Sequence, residues 1–307
     1  MKIVITGGCG YIGSNIVNRL INNHEIIIFD NFSSSVDNNK DGAEIINCDL
    51  TNADNLSKLK INGVDAVLHL AAQSSGPKSI DIPRKDIDIN VIGTLNVIDW
   101  CINNDVPKIL FASSFVVCGD QDNECINEKI HCTPKSIYAL SKLYCERLLD
   151  IYASHHGINW NVLRQFNVYG PGQDLTRMDQ GMVSIFMKLV MDQNHIGVKG
   201  SLDRFRDFIH IDDVVTGWEL CLLDKVKRNE IYNLGSGTRT TISQLIDFLA
   251  SIFNKSNKLS VKQTGDTPGD ILGCYADISK ISNQLDFKPK YDLKSGLKNM
   301  ADWARTQ

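Results

Sequence analysis

Short apolar runs rich in β-branched residues alternate with stretches of helical spacing through the first half of the chain. Lys2-Ile3-Val4-Ile5-Thr6, bounded by Gly7-Gly8, predicts a buried strand. Glu25 to Phe29, Ala43 to Asn47, Asp65 to Leu70, Lys108 to Ala112 and Asn159 to Leu163 predict further strands. Between them, helices are predicted over Tyr11 to Ile21, Ala53 to Lys60, Asn90 to Asn103 and Tyr138 to Ala153. In the first of these, Ile12, Ile16, Val17 and Leu20 form one stripe. Repeated strand–helix units argue for an α/β fold with a doubly wound parallel sheet, helices covering both faces.

After Gly170-Pro171-Gly172 the alternation stops. Helices over Met182 to Met191, Val214 to Leu223 and Ile242 to Phe253 are mixed there with short strands and turns, and Ile231 to Leu234 is expected to rejoin the sheet. The expected division is one domain from 1–170 with 206–236, and a smaller lid domain from 171–205 with 237–307. The segment Asn31 to Lys40 reads as a polar loop.

The turn after the first strand carries the first chemical signal. Gly7, Gly10 and Gly13 recur at even spacing between strand and helix, with Tyr11 and Ile12 opening the helix. Missing Cβ atoms allow close backbone approach, and a helix N-terminus presents N–H groups and the positive end of its dipole. That combination receives a pyrophosphate. Asp30 closes the second strand, where a carboxylate accepts hydrogen bonds from an adenosine ribose, and no Arg follows closely to hold a 2′-phosphate. NAD is therefore expected rather than NADP. Asp49, just past the third strand, can meet the adenine amino group or act as a local cap, with Leu50 beside it. The fourth strand ends in Leu70-Ala71-Ala72-Gln73, small residues against which a cofactor can lie. His69, inside an apolar strand, reads as a satisfied core residue. Ligands in such sheets bind beyond the carboxyl ends of the strands, so Gly13, Asp30, Ala71, Ser114 and Arg164 are expected to line one crevice.

Composition removes other readings. The 307 residues carry a net charge of −4 with no basic stripe, which argues against nucleic acid or an anionic membrane as partner. No apolar run approaches membrane length, and a strand beginning at residue 2 leaves no room for a signal peptide. The nine cysteines are scattered without a Cys-x-x-Cys pair, as expected of free thiols in the cytoplasm, and no metal site is expected.

The second chemical signal is Tyr138-Ala139-Leu140-Ser141-Lys142. Tyr and Lys one helical turn apart share a face and can reach one substrate. A free phenol has a pKa near 10, and both an ammonium and a positive nicotinamide favour its ionised form. Lys142 can also bond the nicotinamide ribose. Ser114, ending the fifth strand after Ser113, can share the proton.

With these residues in view, the sequence resembles the extended short-chain dehydrogenase/reductases, in their NAD-dependent nucleotide-sugar epimerase/dehydratase branch. The matching blocks are Thr6 to Gly13, Asp30 to Ser34, His69 to Gln73, the Tyr138/Lys142 pair, Leu163 to Pro171, Arg206 to Val214, Tyr232 to Gly237, and Pro268-Gly269-Asp270 with Ala276-Asp277. The resemblance implies a Rossmann-type fold with a smaller C-terminal substrate-binding domain. It implies Tyr138, Lys142 and Ser114 as the catalytic set, and NAD contacts that add Asn31, Ser33, Asn90 and Ser113. It further implies a nucleotide sugar held by Ser114, Tyr138, Asn167, Arg206, Asp270 and Cys274, and a homodimer through a four-helix bundle.

Departures from the family pattern bear on the substrate. Cys118 stands where a Tyr is usual, Gln165 replaces an aromatic, and Thr267 replaces an Arg that clamps the diphosphate, for which Arg239 or Arg204 can substitute. Cys274 matches a position bordering the sugar C2 substituent, where a small residue leaves room for an acetamido group. Phe115-Val116 follows Ser114 without an acid pair, which argues against a 4,6-dehydratase. A 4-epimerase of UDP-hexoses or UDP-N-acetylhexosamines is expected. The other readings are a 4-ketoreductase and a non-catalytic NAD-binding sensor or scaffold, which needs none of the three catalytic side chains.

Overall fold

A computed structural model describes residues 1–33, 41–179, 181–226, 229–265 and 272–307. The chain divides into two compact units. The first comprises Met1–Val117, Pro134–Arg164 and Val215–Tyr232; the second comprises Cys118–Thr133, Gln165–Val214 and Asn233–Gln307. The short segment 118–133 thus belongs with the second unit, as do 165–170 and 206–214.

A seven-stranded sheet runs in the order Glu230–Leu234, Asn159–Gln165, Lys108–Ser114, Ala66–His69, Lys2–Thr6, Glu25–Asp30, Glu44–Asn47. The pairings of Lys2–Thr6 with both its neighbours are parallel, as are the next pairings outward, Glu25–Asp30 with Glu44–Asn47 and Ala66–His69 with Lys108–Ser114. The strand order reverses at Lys2–Thr6, where a doubly wound sheet leaves its crevice. The expected strand near residue 231 takes its place at one edge of the sheet.

Strand interiors such as Ile3-Val4-Ile5 and Ile26 to Phe29 are buried on both faces, which explains why they are continuous apolar runs rather than alternating ones. The core between sheet and helices includes Val4, Phe29, Trp100, Phe111 and Trp160, with Phe29 and Trp100 packed edge to face at 5.2 Å. At the far end of the sheet, Lys108 Nζ donates to the carbonyls of Cys221, Leu222 and Asp224, satisfying the C-terminal end of the Ile211–Leu223 helix.

The chain between Gly76 and Asn103 departs from the expected pattern. Two short helices, Gly76–Asp81 and Pro83–Ile87, lead into a π-helical turn, Asp88–Ile92, and then the α-helix Gly93–Asn103. The short helices escape sequence reading because Ile80, Ile82 and Ile87 face outward and give no core stripe. The Ile137–Leu148 helix is capped by Ser136, whose Oγ accepts from Ala139 N, and it runs on through a π-helical turn to Ala153. Leu140, Tyr144 and Ile151 are exposed along its outer side.

The second unit has its own core, built from Phe186, Met187, Leu245, Leu249, Leu297 and Met300. Its strands are short pairs: His195–Lys199 with Ser260–Thr264, Phe208–His210 with Asn167–Tyr169, and Tyr275–Ala276 with Cys125–Ile126, all parallel, and Phe205–Arg206 with Thr240–Thr241, antiparallel.

Gly13 sits where the turn doubles back on itself. A Cβ there would lie 2.2 Å from the Gly7 carbonyl oxygen. Gly13→Ala should therefore destabilise the fold by about 1–3 kcal/mol through overpacking, read as a lower midpoint in urea unfolding with an unchanged slope.

Candidate active site

The carboxyl edge of the sheet in the first unit gathers most of the residues singled out above. Gly7 has φ +69°, a conformation L side chains rarely adopt, and its N–H donates to Phe29 O at 2.8 Å. Gly10 N donates back to Gly7 O at 3.1 Å, closing the turn. The helix Tyr11–Leu20 starts with Gly10 as its cap, no side chain caps it, and its first turn carries no acid. Its leading N–H groups thus meet no competing carboxylate in that turn, the arrangement that suits a phosphate. The fit to a dinucleotide rests on the cradle itself. Cβ atoms at Gly7 and Gly13 would strike backbone at 2.7 and 2.2 Å, so the loop is as tight as its glycines permit.

Asp30 closes its strand with both oxygens engaged. Oδ2 accepts from Cys9 N at 3.0 Å and Oδ1 from Phe32 N at 2.8 Å, which locks the acid against the glycine turn. Asn31 and Ser33 are exposed, with Ser33 N donating to Asn31 Oδ1. Ser34 lies outside the described residues. Asp49 Oδ1 accepts from Thr51 N and Oγ1, a local turn, and Leu50 O accepts from Asn96 Nδ2 at 2.8 Å.

A chain of buried hydrogen bonds links the strand ends. Thr6 Oγ1 accepts from the N–H groups of Leu70 and Ala71 and sits 2.7 Å from His69 Nδ1. Thr94 Oγ1 donates to Asn90 O at 2.6 Å and sits 3.0 Å from His69 Nε2. These commitments fix the ring as the neutral tautomer: Nε2–H donates to Thr94, and Nδ1 accepts from Thr6. Burial, with Lys142 nearby, holds the His69 pKa down to about 3. It is a structural histidine, as its apolar strand implied.

Asn90 and Gln73 bond reciprocally: Gln73 N donates to Asn90 Oδ1, and Asn90 Nδ2 to Gln73 O, each at 2.9 Å. Asn90 Nδ2 also lies 3.2 Å from Ser141 Oγ. Asn90 therefore holds the loop after the fourth strand against the Ile137–Leu148 helix.

On that helix, Tyr138 N donates to Ser79 Oγ at 3.0 Å. Ser114, ending its strand, acts on the Tyr138 phenol in the sense that favours its ionised form. Lys142 is buried, with Nζ donating to Ala112 O at 2.8 Å and lying 4.7 Å from the centre of the Phe111 ring. Burial pushes the Tyr138 pKa up to about 12, Ser114 pulls it down, and Asp86 adds a further push upward. The Lys142 ammonium is directed at a backbone carbonyl. Burial draws Lys142 itself down to about 8, against the pull of Cys145, Asp86 and Glu146.

Ser113, expected to contact NAD, and Arg164, expected at the crevice, make their bonds elsewhere. Ser113 Oγ donates to Glu146 Oε1 at 2.6 Å. Arg164 is 2% exposed and grips Glu146 with two prongs, Nε to Oε1 at 2.9 Å and Nη2 to Oε2 at 2.7 Å. Arg164 does not line open space, because a buried acid one turn beyond Lys142 claims it. The sequence signal for Glu146 was its spacing, one turn after Lys142 on the same helical face. Asp86, a second buried acid, had no such signal within the charged stretch Arg84 to Asp88.

The second unit positions the remaining residues around Asp207. This buried carboxylate accepts from Ser236 N and Oγ, Gly237 N and Ala276 N. Burial raises its pKa, opposed by those same hydrogen bonds. Asn167 N and Nδ2 both donate to Asp207 O. Arg206 is buried, with Nη1 donating to Phe205 O and Leu272 O. Cys274 is 1% exposed, and its thiol is pushed up to about 12 by burial, with Arg206 opposing. Asp270 and Thr267 lie outside the described residues. Of the two alternative cations, Arg204 donates to the Ser201 and Lys199 carbonyls, whereas Arg239 stacks over Phe205 at 4.0 Å and pairs with Glu124 at 2.9 Å. Among the described residues no group of acids, histidines and cysteines could hold a metal ion, and no helix is long and apolar enough to cross a membrane.

Fold and sheet edge together define a dinucleotide-binding α/β enzyme. The family described as the NAD dependent epimerase/dehydratase family matches residues 3–235, and the chain belongs to it. NAD is its cofactor. A putative UDP-glucose 4-epimerase of Methanocaldococcus jannaschii is 35% identical over 307 residues, covering 99% of this chain and 98% of that one. The UDP-glucose 4-epimerase of Thermotoga maritima, solved with UDP-glucose, superposes with a TM-score of 0.92 at 30% identity, covering 100% and 99% of the two chains. The UDP-N-acetylglucosamine 4-epimerase of Methanobrevibacter ruminantium M1, solved with UDP-N-acetylmuramic acid, gives a TM-score of 0.92 at 31% identity, covering 100% and 98%.

Arg164→Met should leave Glu146 as an uncompensated buried charge. The expected loss is about 3–5 kcal/mol of stability, read by urea unfolding. A loss no larger than that of a surface substitution would show that the pair is dispensable.

Proposed function

We propose that this chain is a nucleotide-sugar 4-epimerase acting on UDP-hexoses or UDP-N-acetylhexosamines, with Tyr138, Ser114 and Lys142 as its catalytic residues. The observation that carries this reading is Ser114 acting on the Tyr138 phenol from the end of its strand, with buried Lys142 one helical turn along the same face. The first unit is assigned to NAD through Gly7, Gly10, Tyr11, Ile12, Gly13, Asp30 and Ala71. The second is assigned to the nucleotide sugar through Asn167, Arg206 and Cys274.

Bound NAD supplies a reversible hydride acceptor for C4 of the sugar. Tyr138, as phenolate, takes the proton of the 4-OH, and Ser114 shares the hydrogen bond that steadies both oxygens. Lys142 favours the phenolate when its ammonium faces the phenol. The 4-keto sugar then turns over before Tyr138 returns the proton to O4. The diphosphate must stay anchored while the sugar is held loosely enough to present both faces. A small side chain at Cys274 supports entry of an acetamido group without itself favouring the larger sugar.

The protein as purified, without added cofactor, should equilibrate UDP-glucose with UDP-galactose or UDP-N-acetylglucosamine with UDP-N-acetylgalactosamine, followed by proton NMR. Tyr138→Phe should lower kcat by roughly 10²–10⁴-fold while dinucleotide is still released on denaturation. Substantial residual turnover in that variant would count against the assignment.

Assembly belongs to the same proposal. Leu140, Tyr144 and Ile151 on the outer side of one helix, with Ile92 nearby in sequence to the other, form the exposed apolar surface a second copy would cover. Light scattering at micromolar concentration should give a dimer, and Leu140→Arg with Tyr144→Arg should give a monomer. A monomeric parent protein would sink the idea.

A further inference from the structure

Asp86 lies fully buried in the Pro83–Ile87 helix and is bonded to Asn90, which also reaches Ser141 on the helix that carries Tyr138. Its Oδ2 accepts from Gln73 Nε2 at 2.7 Å and from Asn90 Nδ2 at 3.1 Å. Its Oδ1 is buried with no hydrogen-bond partner. No Lys, Arg or His among the described residues pairs with it. Two amide groups steady the carboxylate but cancel none of its net charge. Natural interiors rarely leave a carboxylate in this state without a use for it.

Glu146 provides the contrast. It is equally buried on the neighbouring helix, yet both of its oxygens are filled and Arg164 neutralises it. Lys142 has the complementary need. Its ammonium is bonded to the neutral Ala112 carbonyl and rests over Phe111, with no anion in direct contact.

We propose that Asp86 is a positioning residue of the active site: its buried carboxylate fixes Gln73 and Asn90, which register the loop after the fourth strand against the helix of Tyr138 and Lys142, and its uncompensated charge biases that pair toward their protonated forms. This rests on the catalytic reading of Tyr138 and Lys142. A reversible enzyme must return the proton it removes, so a group that favours the protonated phenol serves the second half of the cycle.

Burial acts in opposite senses on the pair, raising Tyr138 and lowering Lys142, whereas Asp86 acts in one sense on both. Asp86 raises both Tyr138 and Lys142, and also the Cys145 thiol. Cys145 and Glu146 also raise Lys142, Ser114 lowers Tyr138, and His69 faces Lys142 as a neutral ring.

The test is Asp86→Asn, which keeps the shape and removes the charge. Both limbs of the kcat–pH profile should move to lower pH, the acid limb because the phenol ionises more easily and the alkaline limb because the ammonium is lost sooner. The fall in kcat at the optimum should stay well short of the roughly 10²–10⁴-fold expected for Tyr138→Phe. Independently of turnover, Lys142 should titrate at lower pH in the variant, followed by NMR of protein labelled at lysine ¹³Cε and assigned with Lys142→Arg. Limbs and titration that stay in place or move upward would overturn the proposal and leave Asp86 a packing residue. If Asp86→Asn does not fold, Asp86→Ser removes the same charge and is read in the same ways. If Tyr138→Phe proves active, the catalytic reading fails, while the Lys142 titration still decides the electrostatic claim.

Discussion

Everything at the carboxyl edge of the sheet depends on one requirement: polar groups taken out of water must find partners. The chain Thr6–His69–Thr94–Asn90–Gln73 meets it with each member engaged on more than one side. Thr6 ends the central strand, His69 ends its neighbour, and Thr94 and Asn90 belong to the helix that covers them. Asn90 then reaches Ser141, between Tyr138 and Lys142 in sequence. The helix that carries Tyr138 and Lys142 is thereby registered against the strand ends by hydrogen bonds with narrow tolerance in distance and angle, rather than by apolar packing alone, which tolerates sliding.

The apolar layer beneath does a different task. Residues such as Val4, Ile27 and Phe111 pack in one core cluster against the sheet and hold the strands without specifying which side chain faces a ligand. That separation explains what was legible in the sequence. Strand and helix positions follow from hydrophobic period, so Lys2–Thr6 and Glu25–Asp30 were readable almost to the residue. The glycine turn was readable because few other residues fit there. The short helices between Gly76 and Ile87 were not, since their isoleucines face outward and their only pattern is local capping.

The same logic sorts the site residues. Tyr138, Lys142 and Ser114 announce themselves through spacing along a helix and at a strand end. Arg164 occupies the expected place at a strand end, yet its direction is set by Glu146, a partner fixed by tertiary packing. A charged residue in sequence carries no mark of which acid will claim it. Lys142 is a further case: its spacing gives the shared face, but the Ala112 carbonyl decides where the ammonium points. In the second unit Asp207 was readable within a motif, while its service as acceptor for Ser236, Gly237 and Ala276 required the fold.

The π-helical turn at Asp88–Ile92 has a consequence for how such a chain can change over time. There Gly93 N donates to Asp88 O, one residue further back than in an α-helix. The turn therefore contains one residue more than a regular helix would need. Losing that residue would restore ideal helical bonding and would swing everything on one side of it by about 100° relative to the other. Asn90 would leave Gln73, and Thr94 would leave His69. Substitutions on the outer faces of these helices are open to drift, but the length of this segment is not: an insertion or deletion here that improves the helix dismantles the site.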